Sequence, residues 1–385
     1  MPQTTPASRF APILAIGMMS GTSLDGVDAA LIETDGESVR RLGRAVTLPY
    51  PDAFRERLRG VLGDRGDIAG AARELTERHA EAVSALLAAA GLPPSAVGVV
   101  GFHGQTVLHR PADRLTRQIG DGALLARLTG IAVVDDFRSA DVLAGGEGAP
   151  LVPVYHRALA AGLEWPLAVL NIGGVANVTW IGEGGELVAF DTGPGNALLD
   201  DWVRARTGRP FDEGGTLAAA GRVDAGVLAA LMADPYFARP APKSLDRDEL
   251  GRDAEGRLLW RDLSPEDGAA TLAAFTVEAV AAAIGCCPAV PRRWLVGGGG
   301  RRNDALLAGL RRRLGVPVEP VEAVGWDGDA LEAEAFAYLA VRAVRGLPLS
   351  LPGTTGVPRP MSGGRLSPAP GQPLPWKKAD AASAG

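Results

Sequence analysis

Pro12-Ile13-Leu14-Ala15-Ile16-Gly17-Met18-Met19 is an apolar run of strand length, Ser20-Gly21-Thr22-Ser23-Leu24-Asp25-Gly26 is rich in turn residues, and Val27-Asp28-Ala29-Ala30-Leu31-Ile32-Glu33 is a second strand-length run. The three together predict a strand–turn–strand opening. The pattern restarts after about residue 150. Leu167–Asn171 reads as a strand, Ile172-Gly173-Gly174 as a turn and Ala176–Ile181 as a second strand. Leu187–Phe190 is a third strand, ending at Asp191-Thr192-Gly193-Pro194-Gly195-Asn196. A hairpin opening used twice, each time followed by mixed strands and helices, predicts an α/β protein of two related halves, although no identity repeats between them.

Working outward, a helix fits Ala69–Ala90 with Gly91 as stop, and Ala96–Phe102 is a strand delivering His103-Gly104-Gln105-Thr106 at its end. Gly130–Asp135 is a short strand. Ala197–Thr207 is a helix stopped by Gly208. Another helix spans Glu266–Ile284, with Ser264 as cap and Pro265 at its first position. Trp294–Val296 is a buried strand entering Gly297–Gly300. Asn303 caps a helix running to Leu314, and Asp329 starts a last long helix that ends before Gly346. The expected division is an N-terminal domain over 1–135 and a C-terminal domain over 136–345. Residues 346–366 are expected to pack back on the first domain, and the Pro- and Ala-rich tail 367–385 to be disordered.

Composition narrows the function. The chain has 385 residues, 46% of them hydrophobic, so a sizeable core is expected. Lys+Arg 39 against Asp+Glu 45 gives a net charge of −6, which argues against coating nucleic acid or a membrane surface. Cys286 and Cys287 are the only cysteines, which excludes a disulfide scaffold and fits a reducing compartment. The apolar stretch at 11–19 runs into Gly-Thr-Ser-Leu-Asp-Gly with no small-residue cleavage site, so it reads as a strand and not as a leader. The longest uncharged run, 82–102, is broken by Gly91-Leu92-Pro93-Pro94-Ser95 and is not a membrane span. A cytoplasmic protein is expected.

Three glycine-rich turns follow apolar strands, at Gly21–Gly26, Asp191–Asn196 and Gly297–Gly300. Glycine at a strand end lets backbone N–H groups come close to a phosphate, and three such turns in one chain point to a nucleotide. None is a Walker A loop, none is a dinucleotide fingerprint, and the protein-kinase motif set is missing. Asp191 ends a strand just before a helix; its carboxylate suits either a general base taking a proton from water or a hydroxyl, or a local turn or capping role. Asp25 or Asp28 suits a metal ion or its waters. His103 and Gln105 at a strand end suit a hydroxyl-rich ligand or a structural role. Arg138 suits a carboxylate ligand or a salt bridge. Glu332 stands where a capping box with Asp329 would place it.

Taken together, these motifs resemble the anhydro-N-acetylmuramic acid kinases. The resemblance is carried by Ile16–Asp28, His103-Gly104-Gln105-Thr106, Asp136-Phe137-Arg138, Gly148–Pro153 and Asn171–Asn177. Phe190–Asn196, Pro242-Lys243-Ser244, Gly298-Gly299-Gly300 and Glu332-Ala333 complete it, in order from about residue 13 to about 360. Gly297, Arg301-Arg302 and the segment after Arg359 depart from the pattern. The resemblance implies a sugar-kinase/actin-like fold, two ribonuclease-H-like domains around a nucleotide cleft, with ATP and Mg²⁺ as cofactors. It implies a homodimer that opens the 1,6-anhydro ring of a small amino sugar with water and phosphorylates O6 in peptidoglycan recycling. Carried over, Asp191 is the general base. Gly21, Thr22, Ser23, Leu24, Asp25, Gly26, Val27 and Asp28 are the ATP-binding hairpin, joined by Gly193, Gly298, Gly299 and Gly300. His103, Gln105, Thr106, Arg138 and Glu332 lie at the sugar, and the metal ligands stay unassigned. The rival readings are a kinase for another anhydrosugar, such as levoglucosan, and a nucleotide-binding switch without sugar chemistry.

Overall fold

A computed structural model describes residues 10–21, 24–245, 250–251, 256, 258–371, 374 and 376. The chain divides into two units: the chain through Gly162 together with Asp329 onward, and Leu163–Gly328 between them.

In the first unit, β1 (Ile13–Met19), β2 (Gly26–Thr34) and β3 (Val39–Pro49) form an antiparallel meander, in which Ile13 pairs with Thr34 and Met19 with Asp28. The strands β4 (Val99–Phe102) and β7 (Val133–Asp135) extend the sheet parallel to β1, while β5 (Gln105–Arg110) and β6 (Leu115–Ile119) form a separate hairpin. β1 lies inside the sheet with both faces covered, which is why its sequence is a continuous apolar run. On one face lies the helix Ile68–Ala90, capped by the Asp67 carboxylate and ended by Gly91 in the left-handed conformation. It packs Leu75, Val83 and Leu86 against Ile16, Met18 and Leu31.

The helix Leu331–Val344 packs on β1, β2 and β4. Two glycines permit this. Gly17 and Gly101 are register partners in β1 and β4, and a Cβ on either would overlap helix backbone, at Ala333 and Ala337 or at Phe336, inside 3.0 Å. Glu334 of this helix pairs with Arg41 at 2.7 Å and accepts the Tyr155 hydroxyl at 2.8 Å. These contacts tie the helix Pro153–Leu159 and the helix Leu331–Val344 to the first sheet. The division expected at 135/136 therefore falls instead at 162/163, and the last long helix belongs with the N-terminal unit.

In the second unit, β8 (Leu167–Ile172), β9 (Val175–Ile181) and β10 (Leu187–Pro194) are antiparallel, and β11 (Trp294–Gly297) and β12 (Val318–Pro320) run parallel to β8. The order β10-β9-β8-β11-β12 repeats the order β3-β2-β1-β4-β7 of the first unit, strand for strand and direction for direction. This is the mixed α/β, ribonuclease-H-like sheet twice over. In the first unit β13 (Arg365–Ser367) adds an antiparallel edge beside β7. Ala369 and Trp376 are buried; the expectation of a disordered tail otherwise falls on 372–373, 375 and 377–385, outside the described residues.

The helix Pro265–Ala283 is long and apolar enough to cross a membrane, but Phe275, Val280 and its alanines pack into the core of the second unit against Trp202 and Trp294. Ser264 caps it by accepting the Asp267 N–H, and Asn303 caps the helix Asp304–Leu314 in the same way through Leu306.

Buried histidines give the fold an acid limit. His79 is fully buried against Phe102, with Nδ1–H donating to the Leu75 carbonyl at 2.7 Å, and burial lowers its pKa to about 4. Burial lowers His156 to about 3. Both are neutral in the fold and gain protons near pH 6.5 when unfolded. Stability therefore falls as pH drops from 6.5 toward 4, by about 1.4 kcal/mol per histidine per pH unit. Denaturant midpoints between pH 7 and 4.5 check this; a flat profile would contradict it.

Candidate functional site

The second unit holds Asp191. β10 does not stop there, as the sequence suggested, but continues to Pro194. Asp191 pairs with Asn177 and Gly193 with Ala176, so Thr192 is the extra residue of a bulge. Bulges re-aim the neighbouring side chain. Thr192 is buried and its hydroxyl donates to the Ala176 carbonyl at 3.2 Å; Gly193 takes φ of 156°. The helix that follows has Asn196, not Asp191, at its N-cap. Asp191 Oδ2 accepts the Leu245 N–H at 3.0 Å, its own N–H donates to the Lys243 carbonyl at 3.0 Å, and its carbonyl accepts the Tyr236 hydroxyl at 2.5 Å. These partners lie 45 or more residues away in sequence, which favours a long-range setting over the local turn or capping alternative.

Past the end of β10, the ends of β8, β10 and β11 converge. Gly298 has φ of 71°, and a Cβ there would strike Asn171 and Ile172; Gly300 sits on Ile172. The Asn196 side chain donates to the Ile172 carbonyl at 3.0 Å. The N–H groups of Gly195, Asn196 and Ala197 bond to the Gly173 and Gly174 carbonyls. The end of the Asp191–Asn196 turn and the start of the helix Ala197–Thr207 thus spend these donors on the β8–β9 turn. Gly299 and Gly300 open a short 3₁₀ helix, whose first N–H groups have no acceptor within it. Arg301 is buried, donates to the Gly298 carbonyl at 2.9 Å and pairs with Glu322 at 2.8 Å, so this departure from the family pattern braces the glycine turn.

The first unit holds the other set. Thr22 and Ser23 lie outside the described residues. Around them Leu24 donates its N–H to Gly21, Arg55 donates to the Leu24 carbonyl, and Tyr50 donates its N–H to the Asp25 carbonyl. Leu24 and Val27 turn their side chains into the core, so they can meet a ligand only through backbone. Gly26 packs against the Leu48 carbonyl. Burial raises the Asp28 carboxyl, the Thr47 hydroxyl pulls it down, and Asp25 and Asp329 push it up again.

His103 is neutral and held in one tautomer. Nδ1–H donates to the Gly104 carbonyl at 2.8 Å, and Nε2 accepts from Arg138 Nε and Nη2 at 3.1 Å; burial and the arginine hold its pKa well below the ordinary value. Arg138 also donates to the Gly148 carbonyl at 2.7 Å, so two of its N–H groups remain after its described partners. Burial lowers the guanidinium to about 10, against the attraction of Glu332 and Asp141. Glu332 is solvent-accessible but closely surrounded by protein. Desolvation raises its carboxyl, Arg138 lowers it and Asp28 raises it. The capping box does not form, because the helix cap is Ala330 without a side-chain bond. Asp28, Glu332, Arg138 and His103 therefore share one electrostatic neighbourhood.

Gln105 is buried, with its Oε1 accepting the Ser20 hydroxyl at 2.7 Å and its Nε2 donating to the Thr106 carbonyl at 3.4 Å, and Ser20 in turn accepts the Tyr50 hydroxyl at 3.0 Å. These bonds tie Gln105 to the end of β1. Thr106 is half-buried and accepts from Gln118 at 3.2 Å. A cavity of about 180 Å³ lined by His103, Gln118, Asp136 and Arg365 lies in this unit, without Arg138 or Glu332 in its wall.

Sequence reasoning missed Tyr236, Lys243 as a buried side chain, and Leu245. One signal was present: Lys243 is the only lysine before the terminal pair Lys377-Lys378, in a chain whose other basic side chains are arginine.

The structure defines the class of fold, a repeated ribonuclease-H-like sheet with glycine-rich turns at its strand ends and a carboxylate on a bulged strand. Comparison gives the family. A family model described as anhydro-N-acetylmuramic acid kinase matches residues 13–369. The anhydro-N-acetylmuramic acid kinase of Paramagnetospirillum magneticum is 61% identical over 92% of this chain and 99% of its own length. That of Rhodospirillum rubrum is 59% identical over 93% and 95%. The chain belongs to the anhydro-N-acetylmuramic acid kinase family. Among solved structures, the activator of a 2-hydroxyisocaproyl-CoA dehydratase from Clostridium difficile with bound ADPNP covers 87% of this chain and 96% of its own, at 12% identity and a TM-score of 0.45.

Proposed function

We propose that the protein opens 1,6-anhydro-N-acetylmuramic acid with water and transfers the γ-phosphoryl of ATP to O6, giving N-acetylmuramic acid 6-phosphate and ADP. Asp191 takes a proton from water as the water oxygen bonds to C1. The C1–O6 bond breaks, and O6 bonds to the γ-phosphorus as the bond to ADP breaks. The observation that carries this is the setting of Asp191: a carboxylate on a bulged strand, held by two distant segments, in the same sheet row as Asn177, Asn171 and Gly297, the residue that leads into the glycines 298–300.

In the second unit, Gly193 and Gly298–Gly300 serve the nucleotide. In the first unit, the hairpin Gly21–Asp28 serves the phosphates, and His103, Thr106, Arg138 and Glu332 the sugar. The two remaining N–H groups of Arg138 suit the lactyl carboxylate. Among the described residues no three acidic, His or Cys side chains converge as a metal cage. Mg²⁺ on ATP needs only one or two carboxylates besides phosphate oxygens, and Asp28, crowded by Asp25 and Asp329, fits that need. Mg²⁺ supplies charge neutralisation at the phosphates. The setting is the cytoplasm, in peptidoglycan recycling, with the chain as a homodimer.

Two experiments test the sugar assignment. Arg138→Met raises KM for the anhydro sugar about 10–100-fold, the size of one or two charge-assisted hydrogen bonds, and leaves KM for ATP unchanged. An equal change in both constants would contradict the assignment. Levoglucosan, without lactyl and N-acetyl groups, turns over poorly; if it matched the amino sugar, the rival substrate would be preferred.

A further inference from the structure

Lys243 stands out in the second unit as a buried ammonium with no place in the chemistry above. It is 5% exposed. Its Nζ donates to the Tyr236 carbonyl at 3.1 Å and the Phe237 carbonyl at 3.5 Å. It lies 4.6 Å from the centre of the Tyr236 ring and 5.9 Å from that of Phe190. Taking an ammonium out of water costs several kcal/mol unless carbonyls and ring faces replace the water. Here they do, and the cradle suits a compact point charge on a flexible stem better than a planar guanidinium.

The ammonium also closes a ring of contacts around Asp191. The Asp191 N–H donates to the Lys243 carbonyl, Lys243 Nζ donates to the Tyr236 carbonyl, and the Tyr236 hydroxyl donates to the Asp191 carbonyl. Two residues beyond Lys243, the Leu245 N–H donates to the Asp191 carboxylate. Residues 243–245 therefore touch both backbone and side chain of Asp191, and the ammonium ties them to the 3₁₀ helix Pro235–Ala238. That helix also abuts the bulge, since a Cβ on Gly193 would come to 3.3 Å from the Phe237 ring.

We propose that Lys243 is a positioning residue for Asp191, acting through Tyr236 and its own main chain to fix the direction of the carboxylate. The inference rests on the reading of Asp191 as general base. A base displaced by about 1 Å loses about 10²-fold in rate without losing substrate.

The test compares Lys243→Met, Lys243→Arg and Tyr236→Phe in the native chain and in Asp191→Asn. Lys243→Met lowers kcat about 10–100-fold, with KM for ATP and sugar within about 3-fold. Lys243→Arg restores part of the loss. Tyr236→Phe, which deletes one oxygen, lowers kcat about 3–10-fold with the same split. In the Asp191→Asn background neither change costs anything more. A lowered melting temperature with unchanged kcat per folded molecule would make Lys243 a stability residue only and overturn the proposal. Should Lys243→Met fail to fold, Tyr236→Phe decides, and its full kcat overturns the proposal. Full activity of both variants while Asp191→Asn is inactive removes Lys243 and leaves the base. Near-normal turnover of Asp191→Asn removes both.

Discussion

Asp191→Asn lowers kcat by about 10²–10⁴-fold, the range for loss of a general base, while ATP still binds. Asparagine keeps the shape, and its carbonyl oxygen can accept the Leu245 N–H that the carboxylate now accepts. The Asp191 peptide keeps its bonds to Lys243 and Tyr236, which are made by main chain. The bulge and the fold therefore survive, and only the proton acceptor is lost. Of the glycines proposed to serve the nucleotide, Gly298–Gly300 follow another strand and Gly193 offers only main chain, which the substitution leaves in place, so nucleotide affinity is expected to change little. Steady-state kinetics with a direct ATP-binding measurement read both quantities. Turnover within a few-fold of the native value would remove Asp191 from the chemistry.

The second large effect is on the fold. Gly17→Val costs at least about 3 kcal/mol, the upper range for overpacking, because the obstacle is backbone on both sides. At Gly17 the neighbours of a new Cβ are the Ala333 carbonyl and the Ala337 nitrogen of the helix Leu331–Val344, and no side chain can rotate away. The partner position across the sheet, Gly101, meets the same helix at Phe336. Helix and sheet must separate, moving Glu332 at the helix start, so KM for the sugar rises in whatever fraction folds. A fall in melting temperature of at least about 5–10 °C is expected. Gly60→Ala is the contrast. Gly60 lies in the helix Asp52–Val61 with nothing within 4 Å of its Cβ position, so the change is neutral or stabilising by up to about 1 kcal/mol. Equal melting temperatures for the two variants would contradict the packing argument.

The elements that were legible carry their own punctuation. Gly91 and Gly208 end helices in left-handed conformation, and Ser264 with Pro265, and Asn303, start them, because each satisfies terminal groups locally. The hairpin of β1 and β2 was legible because a strand covered on both faces has no reason to carry polar residues. The strand β3, Val-Arg-Arg-Leu-Gly-Arg-Ala-Val-Thr-Leu-Pro, was not read: it is a largely exposed edge strand, so no apolar run marks it. The β5–β6 hairpin escaped for the same reason, with Leu115 and Arg117 exposed.

Asp191 was legible by its place after an apolar strand. Its distant partners were not, since nothing local links residue 191 to 236 or 245. Glu332 shows the converse. The Asp329–Glu332 spacing satisfies a capping rule, yet the helix starts two residues after Asp329, where its packing on Gly17 and Gly101 places it. Long-range packing overrode a local signal there, as it did in moving the unit boundary from 135/136 to 162/163.

The proposed reaction opens the anhydro ring with water and phosphorylates the oxygen thus released in a single turnover. The direct measurement is mass spectrometry of the product made from ATP, Mg²⁺ and 1,6-anhydro-N-acetylmuramic acid in oxygen-18 water. The expected product is heavier than the substrate by one phosphoryl group and one labelled water, with the label on C1 and none in the phosphate. A phosphorylated product that retains the anhydro ring, or a label found in the phosphate, would contradict it.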